Sequence, residues 1–341
     1  MMRVGEPATE SAAPAASRPA LRSVAFPAPV DLSILVVTWN SERWIDRCLD
    51  AIPAACDGLA YEVIIHDNAS ADATLRHVDA SIEVHRSNDN DGFAAGTNRA
   101  FAASRGKYVF LLNPDCELGP RALTLLHEFL GAHPHAAAAA PLLEGDQQRE
   151  FQLRRLPTLA SFASEVLLLD KLFPRNRTTA RHRYRDAELT GPERIEQPAA
   201  AALLIRRDVM EEIGQLDEQF SPAWFEDVDY CRRLAAAGKE VFVVPAARAN
   251  HHGGASLEHV PFARFIDLWY RNMWRYGKKW LSAGDAEALR WVVIGGMLLR
   301  CIAAVAGFAH PEVGRWRALR AYAAVLKKAF ARWDESSPSS S

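Results

Sequence analysis

Two acidic stretches, far apart in the chain, carry most of its chemical information. Asn113-Pro-Asp115 ends the apolar run Tyr108-Val-Phe-Leu-Leu112, and Trp224-Phe-Glu-Asp-Val-Asp229 lies well downstream. A carboxylate at the exit of a buried strand sits where an open α/β sheet presents its ligand crevice. There Asp115 can grip a divalent cation, Mg²⁺ or Mn²⁺, against substrate phosphates. Pro114 stiffens the turn that carries it. Taken alone, Asp115 is equally well explained as a cap for a helix starting near Pro120. Glu226 and Asp227 open a helix, whose N-terminus stabilises an anion by about 0.3–1 kcal/mol, so Asp227 is expected to stay ionised and serve as a general base. First-turn acids are also ordinary dipole complements. The aromatic run Pro222-Ala-Trp-Phe225 just ahead favours the catalytic reading, because it can wall a sugar or an apolar acceptor. The two stretches together imply transfer chemistry on a diphosphate-activated substrate.

Weaker candidates flank them. Asp67-Asn-Ala-Ser70 ends a strand, where a carboxylate can accept the imide N–H of a base and the adjacent amide and hydroxyl can bind ribose; the same residues are excellent turn chemistry. His251 and His252 precede Gly253 and Gly254, and a neutral imidazole there can complete a metal shell.

Bulk properties permit such an enzyme and narrow the alternatives. The chain has 341 residues, 49% hydrophobic and 24% charged, with a formal net charge of -2. Nothing in this balance points to nucleic acid. The 5 cysteines are scattered with no CxxC pair, which argues against a zinc site or disulfide framework and fits a reducing cytosol. Residues 1–30 are rich in Ala, Pro and Ser, lack the apolar core of a signal peptide, and read as a tail, as do residues 334–341.

The pattern between the tails alternates strands and helices. Buried strands are expected at 33–39, 61–66, 82–85, 108–112, 199–205 and 240–244, the last ended by Pro245, with a loop from His251 to Ser256. Helices are expected after Asn40, from Asn90 to Ser104 and over Glu226 to Ala237. This is the signature of a doubly wound, mostly parallel α/β sheet. The first turn, Asn40-Ser-Glu-Arg43, has neither the GxGxxG of a dinucleotide-binding unit nor the glycine-rich basic loop of a nucleotidyltransferase. Residues 141–195 hold a basic run, Lys171 to Arg185, that fits either a flap over the active site or a solvated insertion. From 259 to 333 the chain is aromatic and basic. Trp291 to Leu299 is apolar, but Arg300 leaves it short of the about 20 residues of a bilayer span. Three consecutive amphipathic segments suit an anionic membrane surface, or ordinary packing against the core or a twin subunit.

Six stretches in order, Val36-Val-Thr-Trp-Asn40, Asp67-Asn-Ala-Ser70, Asn90-Asp-Gly-Phe-Ala-Ala-Gly-Thr-Asn98, Asn113-Pro-Asp115, Phe225-Glu-Asp-Val-Asp229 and His251-His-Gly-Gly-Ala-Ser256, resemble glycosyltransferase family 2, the inverting GT-A enzymes, and especially their rhamnosyltransferase-like branch. The resemblance covers roughly residues 32 to 257. It implies a GT-A fold with a helical extension, and a donor pocket lined by Thr38, Asn40, Asp67, Asn68, Asn98 and Asn113. Asp115 would match the second acid of the family's DxD element, whose first position is Asn113 here. His251 would complete the metal site, with His252 the lesser claimant. Asp227 would be the base, with Trp224 and Glu226 beside the acceptor. It also implies a nucleotide sugar as donor, dTDP-rhamnose favoured over UDP- or GDP-sugars, and a glycan or polyprenyl-diphosphate-linked acceptor at the inner membrane face. The rival readings are a nucleotidyltransferase and a non-catalytic glycan- or lipid-binding module.

Overall fold

The computed structural model describes residues 29–144, 151–185, 187–253, 260–308 and 313–333. Most of the expected N-terminal tail, the whole C-terminal tail and Ser256 lie outside them. The N-terminal half runs β1 (Leu32–Thr38), α1 (Ile45–Ala55), β2 (Tyr61–Asp67), β3 (Glu83–Arg86), α2 (Phe93–Ala103), β4 (Tyr108–Leu112), β5 (Cys116–Leu118), α3 (Ala122–Ala132) and β6 (Ala136–Glu144). An insertion follows: β7 (Leu153–Arg154), α4 (Leu159–Val166), α5 (Leu169–Leu172) and α6 (Arg177–His182). Then come β8 (Glu193–Ile195), β9 (Gln197–Pro198), β10 (Ala202–Arg206), α7 (Arg207–Ile213), α8 (Glu226–Ala236) and β11 (Glu240–His251). Three long helices close the chain: α9 (Phe262–Trp280), α10 (Ala283–Val305) and α11 (Arg315–Phe330).

The main sheet has nine strands in the order β3-β2-β1-β4-β10-β6-β11-β5, with β8 also paired to β11. β1 is buried along its whole length, as its unbroken β-branched run demands of a strand covered on both faces. β3, β2, β1 and β4 are mutually parallel. β10 runs antiparallel to β4 and β6, while β6 and β11 are parallel. The sheet is therefore a mixed, mostly parallel one with helices on both faces. α1 shows the usual logic of a covering helix: Ile45, Cys48, Leu49 and Ile52, spaced three and four apart, are the residues it buries.

Two features differ from the sequence reading. Pro245 does not end its strand. β11 continues to His251, and the register with β6 shifts between Val244 and Arg248, a bulge that accommodates the missing donor. The helical extension packs directly on the sheet domain. A third apolar core joins Phe220, Phe225 and Val228 of the sheet domain to Met273, Tyr276, Leu289 and Met297 of α9 and α10. Arg300 does not interrupt α10, which spans 23 residues and is long and apolar enough to cross a bilayer. One face of it buries Leu289, Val293, Ile294 and Met297. Arg300 donates through Nη1 to the Val166 carbonyl at 2.5 Å. The helix crosses α4 so closely at Gly296 that a Cβ there would stand 2.5 Å from the Val166 carbonyl oxygen.

Candidate active site

The candidate residues cluster where β4 and β11 end and β10 begins. The Ala200–Ala201 step ahead of β10 touches both acidic stretches. The Asn113 N–H donates to the Ala201 carbonyl at 2.8 Å, and the Cys116 thiol donates to that carbonyl at 3.3 Å. One residue earlier, the Ala200 N–H donates to Asp227 Oδ2 at 3.4 Å. The Ala200–Ala201 step is thus bonded both to the residues flanking Asp115, Asn113 and Cys116, and to Asp227 itself.

On the Asp115 side, β5 pairs with the end of β11 so that Cys116 lies opposite His251. That pairing, which the bulge at Pro245 allows, brings His251 Nε2 to 3.5 Å from Asp115 Oδ1, both groups buried. The Cys116 sulfur, the Asp115 carboxylate and the His251 imidazole offer ligand atoms all within 4.8 Å of one another. Burial, and then the Asp115 charge, push the Cys116 thiol well above its usual range, so it remains a protonated donor to Ala201. A carboxylate and an imidazole in one buried cluster fit a divalent cation that takes its remaining oxygens from phosphate. His252 turns elsewhere and stacks on Trp44 at 4.5 Å between ring centroids.

On the other side, Glu226 and Asp227 open α8. The N-terminal N–H groups were expected to keep these carboxylates ionised, but burial outweighs them. Burial, followed by repulsion from Asp227, holds Glu226 well above the usual carboxylate range, and Glu226 Oε2 is buried without a partner. Burial also raises Asp227; the Val228 and Ala200 N–H groups and the charge of Arg154 pull it back. Both carboxyls are therefore raised, Glu226 the more strongly, and they titrate as a pair.

Of the residues expected around a nucleotide, three have their polar groups turned inward. Thr38 and Asp67 are fully buried; the Thr38 hydroxyl donates to Asp67 Oδ1 at 2.8 Å, and Ser70 supplies its hydroxyl and N–H to the two oxygens of the same carboxylate. They tie β1 to β2. Asn98 spends its amide on the Leu216 carbonyl and Glu218 and accepts from the Leu216 N–H at 3.0 Å. It anchors α2 to that segment. Asn40 holds the Ala71 N–H at 2.8 Å and adopts a positive φ of 50°. Asn68 donates to the Gly92 carbonyl at 3.1 Å, while its Oδ1 is buried with no partner. Asn113 is half-buried beside Asp115.

Trp224 lies beside Asp227 with φ 71° and packs edge-on against Phe265 at 4.9 Å. Sequence reasoning missed Arg154. It lies 5.8 Å over the ring of Phe151, which stacks on His251, and its charge is felt at Asp227. Its Nε is buried without a partner. Nothing local separates it from Arg155, which pairs instead with Glu196 at 2.9 Å. Asp229, quoted in the acidic stretch without a role, is fully buried and held by Arg233, Lys279 and Trp280.

A family model described as Glycosyl transferase family 2 matches residues 33–214, just over half of the chain. The chain belongs to glycosyltransferase family 2. This glycosyltransferase is 26% identical over 285 residues to an N-acetylglucosaminyl-diphospho-decaprenol L-rhamnosyltransferase of Mycobacterium tuberculosis, covering 79% of this chain and 91% of that one. It is 22% identical to rhamnosyltransferase WbbL of Escherichia coli, over 64% of this chain and 82% of that one. In fold it resembles the mannosyltransferase PcManGT of Pyrobaculum calidifontis, solved with GDP-Man and Mn²⁺, at a TM-score of 0.53 and 17% identity over 90% of this chain and 88% of that one. GalNAc-T7, solved with UDP, GalNAc and Mn²⁺, gives a TM-score of 0.56 at 13% identity, over 89% of this chain and 56% of that one.

Proposed function

We propose that this glycosyltransferase moves rhamnose from dTDP-rhamnose, with inversion, to a hydroxyl of a glycan carried on a polyprenyl diphosphate. The observation that supports the reading is the Ala200–Ala201 step, which bonds to Asn113 and Cys116 on either side of Asp115 and to Asp227. The donor and acceptor classes rest on the rhamnosyltransferase relatives.

Asp115 and His251 would hold Mg²⁺ or Mn²⁺, which when bound neutralises charge on the departing nucleoside diphosphate. Thr38, Asn40, Asp67, Asn68, Asn98 and Asn113 would serve the donor pocket, directly or by holding its walls. Asn68 Oδ1, an acceptor without a partner, suits a ribose hydroxyl or a base N–H. Asp227 takes the proton from the acceptor hydroxyl as that oxygen attacks the anomeric carbon from the face opposite the diphosphate. The new C–O bond forms as the old one breaks, so no enzyme nucleophile is needed and the configuration inverts. Glu226, protonated, can donate a hydrogen bond to the acceptor, with Trp224 beside the apolar face of the sugar. α9 to α11 would rest on an anionic membrane surface at its inner face, where a polyprenyl-linked acceptor is presented.

The test is to supply the purified chain with dTDP-, UDP- and GDP-sugars, a divalent cation and a polyprenyl-diphosphate-linked GlcNAc. The expected result is metal-dependent release of dTDP and a product of inverted anomeric configuration. Asp227→Asn should keep donor binding and lose most turnover. Wild-type turnover in that variant, or a retained configuration, sinks the mechanism; nucleotide release from UDP-sugars alone reassigns the donor.

A further inference from the structure

We propose that Asn272, in the helical extension, is a positioning residue for transfer: it fixes the backbone of residues 219–224 and thereby the place at which Asp227 stands. The role rests on the reading of Asp227 as the base. Asn272 has no exposed surface. Its Nδ2 donates to the carbonyls of Phe220 at 2.8 Å, Ala223 at 2.9 Å and Trp224 at 3.2 Å. Two neighbours on α9 extend the pattern. Arg271 donates to the Ser221 carbonyl at 2.6 Å, and Arg275 donates both to the Gln219 carbonyl and, at 3.3 Å, to Asn272 Oδ1. The remaining carbonyl, that of Pro222, accepts from the Phe93 N–H at 2.7 Å. Every carbonyl from Gln219 to Trp224 therefore has a donor, and α9 supplies all but one.

This segment needs such holding. Trp224 and Phe225 lie in succession in the left-handed region, φ 71° and 78°, where large side chains are disfavoured. α8 begins at the next residue with Glu226 and Asp227. The strained pair persists because its surroundings over-determine it, with the amide of Asn272 on the carbonyls and Trp269 and Tyr276 against the Phe225 ring at 5.3 and 5.8 Å. Leucine at 272 would fill the space and leave three buried acceptors bare; aspartate would set oxygen against oxygen. In this arrangement the extension is part of the catalytic apparatus.

The test compares the full-length chain with Asn272→Ala and Asn272→Asp by hydrogen–deuterium exchange and by kinetics. Amides of residues 220–228 should exchange at least tenfold faster in both variants while β1 and β2 keep their protection. Turnover should fall about a hundredfold, with the donor KM and the nucleotide-induced thermal shift unchanged. Unaltered exchange at 220–228 overturns the proposal. So does a loosening spread evenly through the chain with donor affinity lost in step, which marks a merely structural residue. If neither variant accumulates folded, Arg271→Met, which removes only the bond to Ser221, should show the same local pattern at smaller amplitude, and wild-type exchange there overturns the proposal. A wild-type chain that consumes no nucleotide sugar defeats the function proposed above and leaves the exchange measurement to decide whether Asn272 holds the segment.

Discussion

The Phe93 N–H donates to the Pro222 carbonyl at 2.7 Å, joining the glycine-rich segment on the donor side to the segment that delivers Asp227. The preceding residue must be glycine. Gly92 has φ 95°, and a Cβ there would stand 2.5 Å from the Pro222 carbonyl oxygen. Gly92→Ala is therefore expected to cost about 2 kcal/mol or more, from a positive φ and an overlap with backbone that cannot rotate away. Because Pro222 must move, turnover should fall further than stability. Urea melts and steady-state kinetics on one preparation check both, and a variant with wild-type turnover would show that the join does not matter.

Arg154, after the Val228 and Ala200 N–H groups, is one of the influences that lower the Asp227 carboxyl. Burial raises the Asp227 carboxyl above its usual range, and the Arg154 guanidinium opposes that rise. A base whose folded-state pKa is raised loses its working form as pH falls through that value, so the acid limb of kcat/KM belongs to the pair of Asp227 and Glu226. Arg154→Met removes the opposing charge, and the limb should move to higher pH, with activity recovering in alkaline buffer. Arg154→Lys should restore part of the wild-type profile. A pH profile in Arg154→Met that is scaled down without moving would leave Arg154 a packing residue only.

The fold was legible where the signal is local. The β1 and β4 runs and the turn after β4 declare themselves because a doubly covered strand must be apolar throughout. What escaped depends on partners distant in sequence. Pro245 ends a strand by the ordinary rule, yet the bulge carries β11 past it, and only then does His251 reach Asp115. Thr38 donates to Asp67 across the β1–β2 pair, a bond between strands that neither stretch reveals alone. Asn272 was a polar residue among the aromatics of an amphipathic helix, with nothing beside it to reveal three carbonyls waiting on another element.

Asp115 and His251 make a metal requirement testable by dose. Asp115→Ala removes the carboxylate proposed to hold the metal and should lower turnover about 10²–10³-fold, the usual cost of losing one group that stabilises developing charge. His251→Ala leaves that charge in place, so its loss should be partly recovered at higher Mn²⁺, whereas Asp115→Ala should not be. Activity that survives exhaustive chelation in the wild-type chain would remove the metal from the reaction.

Exposed apolar side chains occur both in the insertion and at the end of α10. The end of α5 leaves Leu172 and Phe173 exposed at 68% and 62%, and the end of α10 exposes Ile302, Val305 and Phe308 at 67%, 64% and 82%. Lys171, Arg175 and Arg177 stand exposed beside the first group, and Arg315 and Arg317 open α11. Apolar side chains with a basic rim match a bilayer of anionic lipid. The chain should co-sediment with vesicles containing phosphatidylglycerol, less so as salt rises. Ile302→Glu with Phe308→Glu, at positions too exposed to unsettle the fold, should weaken that binding at least tenfold, since burying one such side chain is worth about 1.5–3 kcal/mol. Equal sedimentation of wild type and variant would move the contact elsewhere. A wild-type chain that stays in the supernatant and runs as a dimer, split by the same two substitutions, would give this surface to a second copy of the chain.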